Sequence, residues 1–165
     1  MKLLKHVAAV LAFSLAAAAC SNVQTVPTNL RTDLIDVAVK ALEAKLGSAQ
    51  KYFEINATPT LVNLFVANRD ATQATSFVFA AGELGEPSLS EAASGPTFAA
   101  SDISFERGKV LSHVAQELPK VTMRVFAVVG QVGGGVHYVV SVQSELGGTL
   151  DVPVRGDGTI IPAGG

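Results

Sequence analysis

Few residues of this chain have side chains suited to chemistry, and the most distinctive is its only cysteine, Cys20. A cysteine can act as a nucleophile, as a metal ligand, as a core residue or as a point of covalent attachment. Cys20 lies in the stretch SLAAAACSN (14–22). The residues that precede it decide among these roles.

The segment before Cys20 has the organisation of a secretory signal. Lys2, Lys5 and His6 form a basic start, and thirteen almost entirely apolar residues follow from Val7 to Ala19. A helix of that length would measure about 20 Å, which is short for a hydrocarbon core of about 30 Å. A cleaved signal is therefore favoured over a membrane-spanning helix.

The same segment resembles the signal of a bacterial lipoprotein, in which a cysteine that follows small residues receives lipid and becomes the new N-terminus. The resemblance implies a signal peptide at 1–19, lipidation of Cys20 and a tether at 20–29. Ala17 stands where such signals usually have a branched apolar residue. Ser21 follows the cysteine in place of an aspartate, which favours the outer membrane. The alternative is ordinary secretory cleavage within the alanine run, which would release a soluble protein.

A metal site is the second chemical possibility. His113 and Glu117 are four residues apart on a predicted helix, so their side chains would share one helix face. Zinc sites use three or four His, Cys or carboxylate ligands, and His137 is predicted on a separate strand. The sequence therefore predicts a solvated pair at His113 and Glu117, with neither a metal nor a cofactor.

Neither a phosphate-binding loop nor a serine hydrolase motif is predicted. The stretch GQVGGGVHY (130–138) is rich in glycine, but it contains no lysine and leads into a strand-like segment instead of a helix. It is typical of a hairpin connection. The chain has no Gly-x-Ser-x-Gly motif. We therefore predict no catalytic residues, with a hydrolase of unrecognised nucleophile as the enzyme alternative.

The charge balance argues against nucleic acid as a partner. The chain has 12 Lys and Arg against 14 Asp and Glu. Removal of residues 1–19 would take away two of the lysines and leave a net charge of about −4. Binding to nucleic acid depends on clustered cations that neutralise phosphates, and the sequence has no such cluster.

The hydrophobic pattern predicts two similar halves. Apolar residues at spacings of three and four predict a helix from Leu30 to Leu46, with Gly47 as its C-cap. The predicted apolar face consists of Leu30, Leu34, Val37, Ala38, Ala41, Leu42 and Leu46. Strands are predicted at 51–57, 60–68 and 74–81. Residues 87–104 are rich in Gly, Ser, Pro and Ala and predict a linker. A second helix at 105–118 and strands at 121–129, 136–144 and 148–154 follow.

These elements predict an α+β fold of two units, at 30–86 and 105–165. Each unit has one helix and a three-stranded antiparallel meander, and the helices pack on one sheet face. In the second unit Tyr138, Val140 and Val142 alternate with polar residues, which gives one apolar and one largely polar face. Pro153 cannot donate a ladder hydrogen bond, so its strand is predicted at an edge. Through the last two strands, each residue of the first unit corresponds to the residue 74 positions later in the second unit. This correspondence indicates a duplication.

The second half resembles a PepSY-type module, in which one helix packs on an antiparallel meander that ends near an Asp-Gly turn. The matching residues are the helix and VTMRVFAVVGQVGGGVHYVVSVQSELGGTLDVPVRGDGTII, which ends in Asp157-Gly158-Thr159-Ile160-Ile161. A weaker copy covers 30–86. The tandem order of elements is also similar to that of β-lactamase-inhibitor proteins. Both resemblances imply binding or inhibition in the cell envelope and not catalysis.

Three phenylalanines are the candidate binding residues. At the offset of 74, Phe65, Phe77 and Phe79 fall opposite Val139, Asp151 and Pro153 on the face predicted to be wet. An exposed aromatic patch there would mark a partner surface. The alternatives are that the two halves bury the patch between them, or that the strand register shifts by one residue.

Together these observations predict a lipid-anchored protein of the cell envelope, in the outer membrane facing the periplasm. We expect a non-catalytic binding module for a protein or peptide partner. The alternative is a soluble secreted protein inhibitor of the same fold.

Overall fold

The computed structural model describes residues 30–162. The predicted signal peptide, Cys20 and the tether lie outside the described residues. Within 30–162, no helix is long and apolar enough to cross a membrane. The helices are α1 (Ile35–Leu46) and α2 (Val110–Glu117). The strands are β1 (Lys51–Ala57), β2 (Leu61–Ala67), β3 (Gln73–Ala80), β4 (Glu83–Leu84), β5 (Glu91–Ala92), β6 (Phe98–Ala99), β7 (Val121–Gly130), β8 (Val136–Ser144) and β9 (Thr149–Val154).

All nine strands belong to one antiparallel sheet. Its main path runs in the order β4-β3-β2-β1-β7-β8-β9, while β5 pairs with β3 and β6 pairs with β1. Strands β1 and β7 pair from Glu54 opposite Val129 to Ala57 opposite Phe126, so the two meanders share a ladder. The predicted α+β class with an antiparallel sheet is confirmed. β9, which contains Pro153, lies at one end of the strand order.

Helix α1 begins at Ile35, five residues later than predicted, because Thr32–Leu34 forms a separate 3-10 turn. It ends at Gly47 as predicted, and the φ of 74° at Gly47 is the left-handed C-cap conformation. Its buried face differs from the predicted one. Ile35 and Val39 are buried, whereas Val37 and Leu46, which were assigned to the apolar face, are 49% and 42% exposed. The buried face of α1 is therefore rotated about the helix axis, by part of a turn, from the predicted face.

Both helices pack on the same face of the sheet, where they enclose one hydrophobic core. Leu42 of α1 and Val114 of α2 belong to the same cluster of buried side chains as Ile55, Leu64 and Val140 on the sheet. On β8 the predicted apolar side, Tyr138, Val140 and Val142, is buried. Alternation along the strands thus fixes which sheet face lies under the helices.

The segment 87–104 was predicted as a linker, and it contributes two short strands and a core residue. Phe98 in β6 is fully buried, and its ring lies 5.8 Å from that of Tyr52. The prediction missed this contribution because one large residue among many small ones gives no periodic signal.

Helix α2 begins at Val110, five residues later than predicted. The ring of Phe105 packs at 4.9 Å from Phe126 and 5.5 Å from Tyr138. The Glu106 backbone N–H donates to the Gly156 carbonyl at 2.7 Å. These contacts hold residues 105 and 106 against the sheet in a non-helical path.

The two tyrosines of the chain are both buried, and each hydroxyl has a partner. The Tyr52 hydroxyl donates to the Glu43 carboxylate at 3.2 Å. The Tyr138 hydroxyl accepts from the Ser104 N–H at 2.8 Å and donates to the Ser104 carbonyl at 2.7 Å. Burial raises the pKa of both phenols, and the Glu43 charge raises the pKa of Tyr52 further.

We expect the folded protein to show little phenolate absorbance at pH 10, where a free tyrosine is half ionised. The folded state holds these two protons more tightly than the unfolded state does. The free energy of unfolding should therefore fall as the pH rises above about 10. A spectrophotometric titration, with the chain in denaturant as the control, measures this. Half-ionisation of both tyrosines near pH 10 in the folded protein would contradict the burial described.

Candidate binding face

The sheet face opposite the helices carries no helix of residues 30–162, and we call it the open face. Its side chains alternate along each strand with those of the core. Two rows cross it, and cross-strand pairing sets their order. The first row is Ser76, Phe65, Glu54, Val129 and His137; the second is Val78, Asn63, Asn56, Ala127, Val139 and Pro153.

The centre of the open face combines small apolar groups with neutral amides. Ala127 does not belong to the cluster of core side chains. It is nevertheless only 7% exposed, because its neighbours on the open face cover it. Asn63 and Asn56 face each other across β2 and β1. The Asn56 Oδ1 atom is buried and accepts no hydrogen bond from any described residue. Such a group is costly to leave unpaired.

Ionisable side chains lie at separate points of the open face. Glu54 and His137 flank Val129 in the first row. Near the β9 edge, the Ser141 hydroxyl bonds to the Asp151 carboxylate at 2.5 Å. Within residues 30–162, the open face carries no cluster of like charges.

The structure does not bring the three predicted phenylalanines together, and the prediction that they share one wet face is wrong. Phe77 and Phe79 are 5% and 2% exposed and belong to the core. Phe65 lies on the open face, where it pairs with Ser76 and with Glu54. Of the three, only Phe65 remains a candidate contact residue.

The error arose from the length of one hairpin. Six residues separate Ala67 from its partner Ala74, whereas five separate Gln143 from its partner Thr149. Together with the two additional residues of β8, this difference changes the offset of the third strand from 74 to 77, since Phe77 pairs with Leu64 and Val154 pairs with Tyr138. Because side chains alternate faces with a period of two, this odd shift places Phe77 and Phe79 on the core face. The register therefore shifts, as one alternative held, but by three residues instead of one.

The His113 and Glu117 pair lies at the edge of a cleft of about 420 Å³ that Gln116, Gly158 and Thr159 also line. Within residues 30–162, no group of three or more His, Asp or Glu side chains could hold a metal ion. Asp157 lies nearby, and its pKa is lowered chiefly by the N–H of Thr159, which donates to it at 2.9 Å. The two helical residues are thus a surface pair beside a tight turn.

A second cleft, of about 500 Å³, lies between α1 and the segment that precedes α2. Asp36 and Arg107 form an ion pair across it, and the Arg107 guanidinium lies 5.3 Å from the centre of the Phe105 ring. Lys40 and Glu43 also line the cleft. These contacts join α1 to the path that leads into α2.

One motif escaped the sequence analysis. Ser48-Ala49-Gln50-Lys51 has the Ser-x-x-Lys spacing of certain serine nucleophiles, which place both residues on the first turn of a helix. Here Ser48 follows the end of α1, and its hydroxyl accepts a hydrogen bond from the Gln50 amide at 3.0 Å. Lys51 is the exposed first residue of β1. The motif therefore lacks the helix that would bring Lys51 to Ser48.

The glycine stretch forms the predicted hairpin. Residues 131–135 connect β7 to β8, and Gly133, Gly134 and Gly135 all have positive φ angles.

In comparisons with known proteins, no family model, curated protein or solved structure matches this chain.

Proposed function

We propose that this protein is a cell-envelope lipoprotein, anchored through Cys20, that acts as a non-catalytic binding module for a protein or peptide partner. The observation that carries the proposal is the open face, a broad sheet surface without a covering helix in residues 30–162. The signal-like sequence before Cys20 supports the anchor and a place in the outer membrane facing the periplasm.

We also infer that the chain is a tandem of two PepSY-like units. Support comes from the order of elements, because α1 precedes the meander β1-β2-β3 and α2 precedes the meander β7-β8-β9. The strand order supports it as well. Each meander runs outward from the central β1 and β7 pair, as two copies joined by their first strands would do.

The size and chemistry of the open face fit a folded or extended polypeptide. Five strand spacings separate β3 from β9, a width of about 24 Å. The half-buried Asn63 offers an amide group at its centre, while Phe65 and Val139 offer apolar contact. Neutral polar groups among apolar ones are typical of partner surfaces that are also stable in water.

Affinity capture tests this function, with the substitution Asn63→Arg as the probe. Asn63 is half-buried at the centre of the open face, so a cationic side chain there would clash with a bound partner or bury an unpaired charge. We expect the wild-type protein to retain an envelope protein that the N63R variant loses by at least tenfold. The thermal midpoint of unfolding should stay nearly unchanged, because an arginine on this face can extend into solvent.

The matched control is Gln116→Arg, which adds the same charge in place of an amide on the exposed side of α2. It should leave capture intact. Equal loss of the partner in both variants, or equal retention in both, would contradict binding at the open face.

A further inference from the structure

We infer that the end of the sheet carrying the β8–β9 hairpin faces the lipid bilayer, and that Leu146 at the tip of this hairpin contacts lipid. The inference rests on the proposed lipid anchor at Cys20. It adds an orientation and a second membrane contact, neither of which the binding function requires.

The chain enters the fold at one defined end of the sheet. The Arg31 backbone N–H donates to the Thr58 carbonyl at 3.0 Å, next to the turn between β1 and β2. Leu30 before it is only 5% exposed, so the entry point is fixed in the core. The ten residues at 20–29 can span about 35 Å at most. An anchor at Cys20 therefore limits the distance between the β1–β2 turn and the membrane surface to about 35 Å.

The β8–β9 hairpin projects from this same end. Ala57, the last residue of β1, lies opposite Phe126, and β7 begins five residues earlier at Val121. Those five residues extend about 16 Å past the end of β1. Val121 in turn pairs with Ser144, where the hairpin turn begins. The turn at 144–148 thus lies beyond the entry point of the chain, along the direction of the strands.

Leu146 is held in the most exposed position of that turn, with 99% of its surface accessible. Its N–H donates to the Ser144 hydroxyl at 3.2 Å, and the Gly147 N–H donates to the Ser144 carbonyl at 3.0 Å. These bonds tie the backbone back to Ser144 while the leucine side chain contacts no core residue. Leu150, at the start of β9, is 62% exposed and extends the apolar character of this end.

A single exposed leucine is common on protein surfaces, and its position relative to the anchor is what identifies the partner. A leucine within reach of a membrane-bound terminus can bury its side chain at the acyl boundary. The neighbouring charges, Glu145 and Lys120, have opposite signs. The contact is therefore expected to depend on apolar burial and to change little between neutral and anionic lipids.

The chain itself supplies a clean probe, because it contains no tryptophan. The variant L146W places a single reporter at the hairpin tip. The matched control is V132W, since Val132 is 87% exposed on the glycine-rich β7–β8 hairpin at the opposite end of the sheet. Both substitutions replace exposed aliphatic residues of hairpin loops, so neither should disturb the fold.

Each variant is purified from membranes of the producing cells and reconstituted in vesicles of phosphatidylethanolamine and phosphatidylglycerol with brominated acyl chains. We expect the emission of the L146W variant to shift to the blue and to be quenched at least threefold more than that of the V132W variant. The mass of the Cys20 peptide is measured on the same samples.

Four results would overturn the inference. Equal quenching of the two variants would mean that neither end is preferred. A blue shift of L146W without quenching would mean that the tip is buried against protein instead of lipid. An unmodified Cys20 peptide would remove the anchor and the orientation together, whereas a lipidated protein with unquenched L146W would remove only the orientation and leave the proposed binding function standing.

Discussion

Replacing Gly158 with alanine is expected to lower the free energy of unfolding by about 3 kcal/mol. A Cβ atom at this position would lie 2.5 Å from the Val110 carbonyl oxygen and 2.9 Å from the His113 Cβ. Gly158 also has a φ of 91°, which L side chains rarely adopt. The C-terminal turn packs directly on the first residues of α2, so the added methyl group must push the two apart.

Denaturant unfolding of Gly82→Ala is the matched control, because Gly82 has a φ of 87° and no atom within 4 Å of the added Cβ. The G82A variant has only the conformational cost of the positive φ angle, so its free energy of unfolding should fall by only about 1 kcal/mol. The difference between the two variants isolates the close approach of the turn to α2. If G158A and G82A lost equal stability, the packing described between the turn and α2 would be wrong.

Replacing Phe79 with alanine is expected to lower the free energy of unfolding by about 3 to 4 kcal/mol, the usual cost of removing a buried phenylalanine. Phe79 is 2% exposed and pairs with Val62 on β2 and with Leu84 on β4. The cavity would open beneath α1, which contacts both of those strands.

The same substitution at Phe65 tests the other face of the sheet. Phe65 is half-buried on the open face, and Phe65→Ala should cost about 1 kcal/mol because much of its surface is already in water. Partner capture should instead fall in this variant, while a folded F79A variant should retain it. A stability loss for F65A as large as that for F79A would contradict the assignment of the two phenylalanines to opposite faces.

Much of the sheet was predictable because alternation and turn residues are local signals. The strand at 51–57 and the strand at 136–144 were predicted with their observed bounds. Alternation of Tyr138, Val140 and Val142 also identified the core side of β8. Helix α1 ended where Gly47 indicated, since the left-handed cap is a property of that residue.

The features that were not predictable depend on contacts between distant residues. The pairing of β1 with β7 joins segments about seventy residues apart, and no local pattern specifies it. Gly130 appeared to be the start of a glycine loop, but a Cβ there would lie 2.4 Å from the Pro96 carbonyl oxygen. The lack of a side chain at Gly130 allows the backbone at 96–97, just before β6, to pack against β7. This contact exists only in the assembled sheet.

The candidate site was located in part. The alternation predicted a largely polar sheet face opposite the helices, whereas the open face also carries apolar side chains, among them Phe65, Val129 and Val139. The residues chosen on it were largely wrong, because a duplication offset assumes equal hairpin lengths in the two halves. Asn56 and Asn63 gave no sequence signal, since two asparagines on separate strands become neighbours only through cross-strand pairing.

The central claim, that the open face binds a protein partner, is tested most directly by cross-linking in living cells. A photoreactive amino acid at Asn63 reports on the open face, and the same amino acid at Gln116 reports on the outer side of α2. We predict a discrete cross-linked adduct with one envelope protein from position 63 and none from position 116. No adduct from position 63, or the same adduct from both positions, would contradict the claim.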